Sequence, residues 1–387
     1  MSKSYLMNTY GRFDVTFVKG KGTKLYDDKG NEYTDFVSGV AVNCLGHCHP
    51  SIVNAIKEQS SKLMHVSNYY WNESAMELTE VLCTHSDFDK VFMCNSGTEA
   101  IEAGLKLARK YGSIHGGQDK KEIIYMNNSF HGRTMGSLSV TGQPKYQESF
   151  RPLIGGVKSV NFNDENDIKE KISSKTCAVI IEPIQGEGGI VPANKEYLQL
   201  LRKLCNENGA LLIFDEVQCG MGRTGSLFAY QKFGVVPDIV CIAKALGGGF
   251  PIGAMLAKEN VASAFVPGDH GNTYGGNPLA CSVALAVLNE LINNKVVEVN
   301  VNEKSKYLFD KLNDLKKKYK VIDDVRGMGL LIGVSVNCNV KDVINKCFEN
   351  KLLLITAGKD VIRFLPPLNV SFEEIDKAVS IFEKSLS

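Results

Sequence analysis

LLIFDEVQCGMGRTG, residues 211–225, and DIVCIAKALGGGFPIG, residues 238–253, each carry a short apolar run that stops at a charge. Leu211-Leu212-Ile213-Phe214 ends at Asp215-Glu216, and Ile239-Val240-Cys241-Ile242-Ala243 ends at Lys244, followed by Gly247-Gly248-Gly249. Apolar runs of this length bounded by turn residues read as strands buried on both faces of a parallel sheet. In open α/β sheets the residues just past the carboxyl ends of the strands face the ligand crevice. Asp215 and Lys244 are therefore expected to point into one cleft.

A lysine desolvated among glycines and alanines is pushed towards the neutral amine, the form that makes a Schiff base. A buried aspartate at a strand end can keep a ring nitrogen protonated. Pyridoxal 5′-phosphate needs both groups. The plainer reading of the same two residues is a strand-end lysine and a helix cap.

Further stretches repeat the strand-then-polar-loop pattern. Val91-Phe92-Met93 runs into Asn95-Ser96-Gly97-Thr98-Glu99, where Ser96 and Glu99 have capping-box spacing and Gly97 lets an anion approach a helix N-terminus. Ile123-Ile124-Tyr125 leads to Ser129-Phe130-His131-Gly132-Arg133-Thr134, an aromatic for a flat ring and an arginine for a carboxylate. Ala178-Val179-Ile180-Ile181 leads to Glu182-Pro183-Ile184-Gln185-Gly186-Glu187-Gly188-Gly189, and the helix from about Lys195 ends at Asn208-Gly209. Strand–helix alternation over residues 90–260 predicts a mostly parallel, helix-covered sheet. Gly220-Met221-Gly222-Arg223-Thr224-Gly225 matches GxGxxG, but no acidic residue follows at the end of the next strand as a dinucleotide fold requires.

Before this region, residues 10–40 read as an antiparallel meander with a turn at Asp28-Lys29-Gly30-Asn31, and a helix is expected from Ser51 to about residue 62. After it, a long helix from Leu279, a helix over about 298–319, strands through Gly329–Val334, Leu352–Ile355 and Val361–Phe364, and a last helix capped by Ser371 and Glu374 form a second α+β unit. Arg363 is a charge inside a strand-like run. Cys44, His47, Cys48 and His49 lack the second half that a zinc site needs, so no metal is expected.

The 387 residues are 44 % hydrophobic and 22 % charged, the composition of an ordinary globular protein. A formal net charge of +1 gives no nucleic-acid footprint, and no apolar run is long enough for a membrane span. The N-terminus shows no secretory pattern, and eleven cysteines without framework spacing fit free thiols in the cytoplasm.

Taken together and in order, SGTEA, SFHGRT, IEPIQGEGG, FDEVQCGMGRTG, AKALGGGFPIGAM and GNTYGGNPLA resemble the class III aminotransferases of the pyridoxal-phosphate fold type I superfamily, over nearly the whole chain. The resemblance implies an α/β large domain with a mostly parallel seven-stranded sheet, over residues 51–280. A smaller α+β domain would combine residues 1–50 and 281–387. It implies pyridoxal 5′-phosphate as cofactor, with Lys244 as the Schiff-base lysine and proton carrier and Asp215 on the pyridine nitrogen. Gly97 and Thr98 would take the phosphate, Phe130 the ring face and Gln218 the ring oxygen, with Glu216 and Val217 beside them. Thr273 would complete the phosphate site of a neighbouring subunit, so a homodimer is implied. Arg133, Arg363 and Asn272 would be substrate positions, with Glu187 masking Arg363 until an α-carboxylate arrives.

The N-terminal portion is similar to family members that act on N2-acetyl-L-ornithine, implying transfer of its δ-amino group to 2-oxoglutarate in arginine biosynthesis. Ornithine, succinylornithine, succinyl-diaminopimelate and 4-aminobutyrate are the alternative donors. Gly39-Val40 falls where ornithine-using members tend to have a tyrosine, and a small residue there is expected to leave room for an acyl group.

Overall fold

The structure, a computed structural model, describes residues 5–386; residues 1–4 and 387, the outer ends of the two segments assigned to the small domain, lie outside the described residues. Three strands, β1 (Phe17–Lys21), β2 (Lys24–Asp27) and β3 (Glu32–Asp35), form the expected antiparallel meander. Its turn closes where Asp27 Oδ1 accepts the Lys29 and Asn31 N–H groups and Gly30 takes φ 83°.

The large sheet is built from β4 (Lys90–Cys94), β5 (Glu122–Met126), β6 (Val157–Val160), β7 (Thr176–Ile181), a small hairpin aside (β8, Ile184–Gln185; β9, Val191–Pro192), then β10 (Leu211–Asp215), β11 (Ile239–Ile242) and β12 (Gly253–Ala257). Its order is β4-β12-β11-β10-β7-β5-β6, seven strands with only β12 reversed. The reversal has a simple cause: residues 243–252 are fewer than the roughly dozen a parallel crossover needs. Along β10 and β11 alternate residues enter opposite cores. Leu212, Phe214, Val240 and Ile242 pack on one face with Leu198, Leu201 and Cys205 of the helix Lys195–Asn208. Leu211, Ile213, Ile239 and Cys241 pack on the other with Ala100, Ile101 and Leu107 of the helix Gly97–Gly116. Burial on both faces is why these strands read as unbroken apolar runs.

The last hundred residues supply β13 (Ile322–Met328), β14 (Leu331–Val336), β15 (Leu352–Leu353), β16 (Ile355–Ala357) and β17 (Val361–Phe364). Four of them form an antiparallel sheet, β13-β14-β17-β16, while β15 pairs with β3 and joins the two ends of the chain. Strand runs through the expected stretch Gly329–Val334, with Leu331 opening β14. Gly329 has φ 60° and forms the hairpin between β13 and β14, because a Cβ there would lie 2.3 Å from the Arg223 carbonyl oxygen. The last helix, Phe372–Ser385, carries the expected reciprocal cap between Ser371 and Glu374.

The GxGxxG stretch serves this junction. Arg223 is wholly buried and its Nη1 donates to the carbonyls of Leu330 and Pro366, tying the loop after β10 to the C-terminal segment. The Cys44–His49 cluster disperses: Cys44 Sγ donates to the Ala245 carbonyl, His47 Nε2 pairs with Asp35 at 2.7 Å and Cys48 is exposed.

Candidate active site

β4, β5, β7, β10 and β11 end on the same edge of the sheet, and the loops leaving them line a cavity of about 440 Å³. Gly97, Thr98, Phe130, Arg133, Glu187, Asp215, Val217, Gln218 and Lys244 all reach its wall. Lys244 leaves β11 through Ala243 with its backbone in the left-handed region, at φ 45°. A non-glycine residue there is held by its surroundings and is common at functional sites. Its Nζ makes no hydrogen bond or ion pair among the described residues. Burial pulls the ammonium below its ordinary pKa, and the Arg363 charge adds to this against the opposing pull of Glu187, Asp215 and Glu182.

Asp215, 4 % exposed, accepts the Val217 N–H at Oδ1, 2.9 Å, and meets His131 Nδ1 at Oδ2, 2.6 Å. His131 is held in turn by its own N–H on Thr141 Oγ1, and its Nε2 is buried with no partner among the described residues. Glu182 stands beside this pair and accepts the N–H groups of Phe130 (3.0 Å) and Gly186 (3.1 Å). Burial pushes its carboxyl up to about 7, against the His131 charge and with that of Asp215. Neither His131 nor Glu182 was singled out from the sequence. Both lie inside stretches already marked as strand-end loops, and a titratable residue there was the available signal.

At the other end of the cavity Ser96 Oγ caps the helix Gly97–Gly116 by accepting the Glu99 N–H, and Glu99 Oε2 accepts the Asn95 N–H. Thr98 Oγ1 is held by Ser137 Oγ (2.6 Å) and Thr134 Oγ1 (2.8 Å). Gly97 must be glycine, since a Cβ would fall 2.6 Å from Val217 Cγ1. Free N–H groups and the helix dipole make this corner attractive to an anion.

On the substrate side Arg363, on β17, is 2 % exposed. Its Nη1 donates to Glu187 Oε1 (2.7 Å) and Gln218 Oε1 (3.1 Å), and its Nη2 to the Thr356 carbonyl. Glu187 and Gln218 line the cavity, so Arg363 stands one layer behind them. Arg133 is different: exposed, 3.8 Å over the Tyr146 ring and 5.6 Å over Phe130, with no carboxylate partner among the described residues.

Three expected site residues lie elsewhere. Glu216 follows Asp215 but turns to the opposite side, where it accepts the Ala229 and Tyr230 N–H groups. Asn272 does not face the cavity: its Nδ2 donates to the Met93 carbonyl and its Oδ1 accepts the Gly275 N–H, shaping its own loop. Thr273 is exposed on that loop. Gly39 also misses the cavity, lining instead a separate apolar one of about 260 Å³ with Phe13, Phe348 and Leu354, while Val42 reaches the active-site wall.

The family model for aminotransferase class-III matches residues 5–386. An acetylornithine aminotransferase of Clostridium acetobutylicum is 84 % identical over 386 residues, covering 100 % of both chains. Among solved structures, the ornithine aminotransferase from Toxoplasma gondii ME49 superposes with a TM-score of 0.94 at 34 % identity, covering 99 % of this chain and 92 % of that one. The N-acetylornithine aminotransferase from Stenotrophomonas maltophilia K279a does so with a TM-score of 0.86 at 38 % identity, covering 97 % and 96 %. A strand-edge cavity with a lysine, a buried aspartate and an anion corner, together with likeness over the full length, means that the chain belongs to the class-III aminotransferases, enzymes whose cofactor is pyridoxal 5′-phosphate.

Proposed function

We propose that this enzyme moves the δ-amino group of N2-acetyl-L-ornithine to 2-oxoglutarate, giving N-acetyl-L-glutamate 5-semialdehyde and L-glutamate, a step of arginine biosynthesis. The residues present fit the cofactor. Lys244 brings an amine without an internal partner, Asp215 a carboxylate steadied by His131, and Phe130 a ring at the wall. At the corner a Cβ on Gly97 would strike the Val217 side chain, so the glycine keeps that helix start open. When bound, pyridoxal 5′-phosphate supplies the electron sink that lets an amino group leave one carbon and be delivered to another. Gly97 and Thr98 would hold the phosphate, Asp215 would keep the proton on the ring nitrogen, Gln218 would meet the ring oxygen and Val217 would fill the wall. Lys244 Nζ, with its pKa lowered by burial, would hold the cofactor and is the group that would carry a proton for the substrate.

The observation that carries the reading is one arginine masked and one open. Arg133 is free to grip the donor's carboxylate while Glu187 stays on Arg363, so the first half-reaction presents a single cation to a monocarboxylate. When the dicarboxylate enters, Glu187 swings aside and Arg363 takes the second carboxylate in a bidentate grip. Choice of the acetylated donor is supported by the 84 % identical relative rather than by Gly39, which faces another cavity.

The enzyme acts as a homodimer in which Thr273 reaches the neighbouring phosphate corner. Asn68 and Asn72 tie the loop that carries Thr273 to a segment whose Tyr69, Tyr70 and Trp71 are 91 %, 69 % and 90 % exposed, an apolar surface that a second copy would cover. Asn272 supports substrate indirectly by holding this loop. Eleven free cysteines fit the cytoplasm as its compartment. The test is a donor panel with 2-oxoglutarate. Acetylornithine should exceed ornithine and 4-aminobutyrate about a hundredfold in kcat/KM, roughly 2.7 kcal/mol of transition-state binding. If free ornithine wins, the donor assignment is wrong.

A further inference from the structure

We infer that Glu182 is a positioning residue: by clasping the Phe130 loop to the Gly186 loop it sets how tightly Glu187 masks Arg363. The inference rests on the reading of Glu187 and Arg363 as mask and carboxylate site.

The geometry is that of a clamp between two loops that leave different strands. One oxygen of Glu182, the residue that follows β7, takes the Phe130 N–H on the loop after β5, and the other takes the Gly186 N–H four residues on, where the hairpin of β8 and β9 turns. Gln185 Nε2 adds a second tie between the same loops by donating to the Asn127 carbonyl, 2.8 Å. One residue on, the Glu187 carbonyl accepts the Gly358 N–H at 2.8 Å. The backbone is therefore held on both sides of the mask, through Gly186 N and Glu187 O, and the Glu187 side chain is the part left to move. That side chain is 25 % exposed against 2 % for Arg363, so it can leave while the arginine stays.

Gly186 also lies against Gln218, the other group on Arg363 Nη1: a Cβ at Gly186 would fall 2.4 Å from Gln218 Oε1. A small shift of Gly186 is therefore felt by both acceptors of Arg363 Nη1. Glu182 itself touches neither Arg363 nor Glu187 through any hydrogen bond, so its contact with the pair runs through the loop; because its carboxylate also lines the cavity, Glu182→Asp, which keeps the charge, separates the clasp from the charge. Replacing the carboxylate by an amide turns one acceptor into a donor facing an N–H, which breaks one of the two contacts.

The test measures binding of glutarate, a dicarboxylate with no reacting carbonyl, to the holoenzyme by calorimetry. Apparent affinity rises in proportion to the fraction of enzyme in which the arginine is unmasked, so weakening the mask tightens binding. Glu187→Gln should tighten glutarate about tenfold, Glu182→Gln about threefold to fivefold, and the double variant no more than Glu187→Gln alone. A Glu182→Gln enzyme that binds glutarate no better than the wild type, or whose gain adds fully to that of Glu187→Gln, overturns the inference and leaves the masking reading intact. If Glu187→Gln itself gains nothing, the masking reading fails and the inference falls with it. Should Glu182→Gln not fold, Glu182→Asp keeps the charge but is one methylene too short to span both N–H groups, and the same direction of change is required of it.

Discussion

Arg363 and Arg223 are both almost wholly buried, at 2 % and 0 % exposure, yet they are compensated in different ways. Arg363 meets a carboxylate, Glu187, that borders the cavity. Arg223 meets only two carbonyl groups, has Nε and Nη2 buried without partners, and faces no carboxylate among the described residues. Burial pulls its guanidinium down to about 10. The same contrast separates two neighbours in sequence: Asp215 turns to His131 and the cavity, Glu216 to the helix start at Ala229 and Tyr230. Burial of a charge is thus common to the cavity wall and to the layer behind it. What distinguishes the wall is a partner that a ligand can displace or complete.

The largest expected effect tests the two acids. Asp215→Asn should lower kcat roughly a thousandfold, the scale of losing one preorganised electrostatic group, while Glu216→Gln stays within about threefold. Equal losses would erase the distinction between wall and backing. Next come the two arginines. Arg363→Ala should lower kcat/KM for 2-oxoglutarate about a hundredfold with folding intact. Arg223→Ala should instead lower unfolding free energy by about 2–4 kcal/mol in urea melts, since it leaves two buried carbonyls unsatisfied and a cavity, with kcat/KM of the folded enzyme unchanged.

The smallest effect is a pH dependence of stability. Burial is the largest cause raising the Glu216 carboxyl from 4.5 to about 8, so the folded state holds a proton that the unfolded chain has released between those values. Its contribution is complete below pH 4.5 and is lost as pH rises through about 8. Relative to Glu216→Gln, the wild type should therefore lose on the order of 4 kcal/mol between pH 5 and pH 8.5 in parallel urea melts. A flat difference would mean that Glu216 stays ionised beside the Ala229 and Tyr230 N–H groups.

Local pattern was enough for the strands and their endings. Unbroken apolar runs at 211–214 and 239–243 required a sheet covered on both faces, and the charges closing them had to lie at its carboxyl edge. The positions of Asp215, Lys244, Gly97 and Phe130 on the cavity wall follow from this. Direction within a loop was not legible. Asp215 and Glu216 are adjacent acids after one strand, and their opposite facings come from Val217 and His131 on one side and from the Ala229 helix start on the other. Asn272 belongs to the same class: an amide in a polar loop can serve a ligand or its own backbone, and here it meets Met93 and Gly275.

The sequence by itself determined the sheet, the edge at which the cavity opens and the residues that leave that edge, because periodicity and burial are local properties of a run. The pairing of Arg363 with Glu187 across 176 positions was implied by the family resemblance and by no local pattern, and tertiary structure alone decided the support of Asp215 by His131 and the clasp at Glu182. These depend on which loops the fold brings together. A single buried charge is tolerated only where a distant segment supplies its partner, and no local pattern encodes that distance.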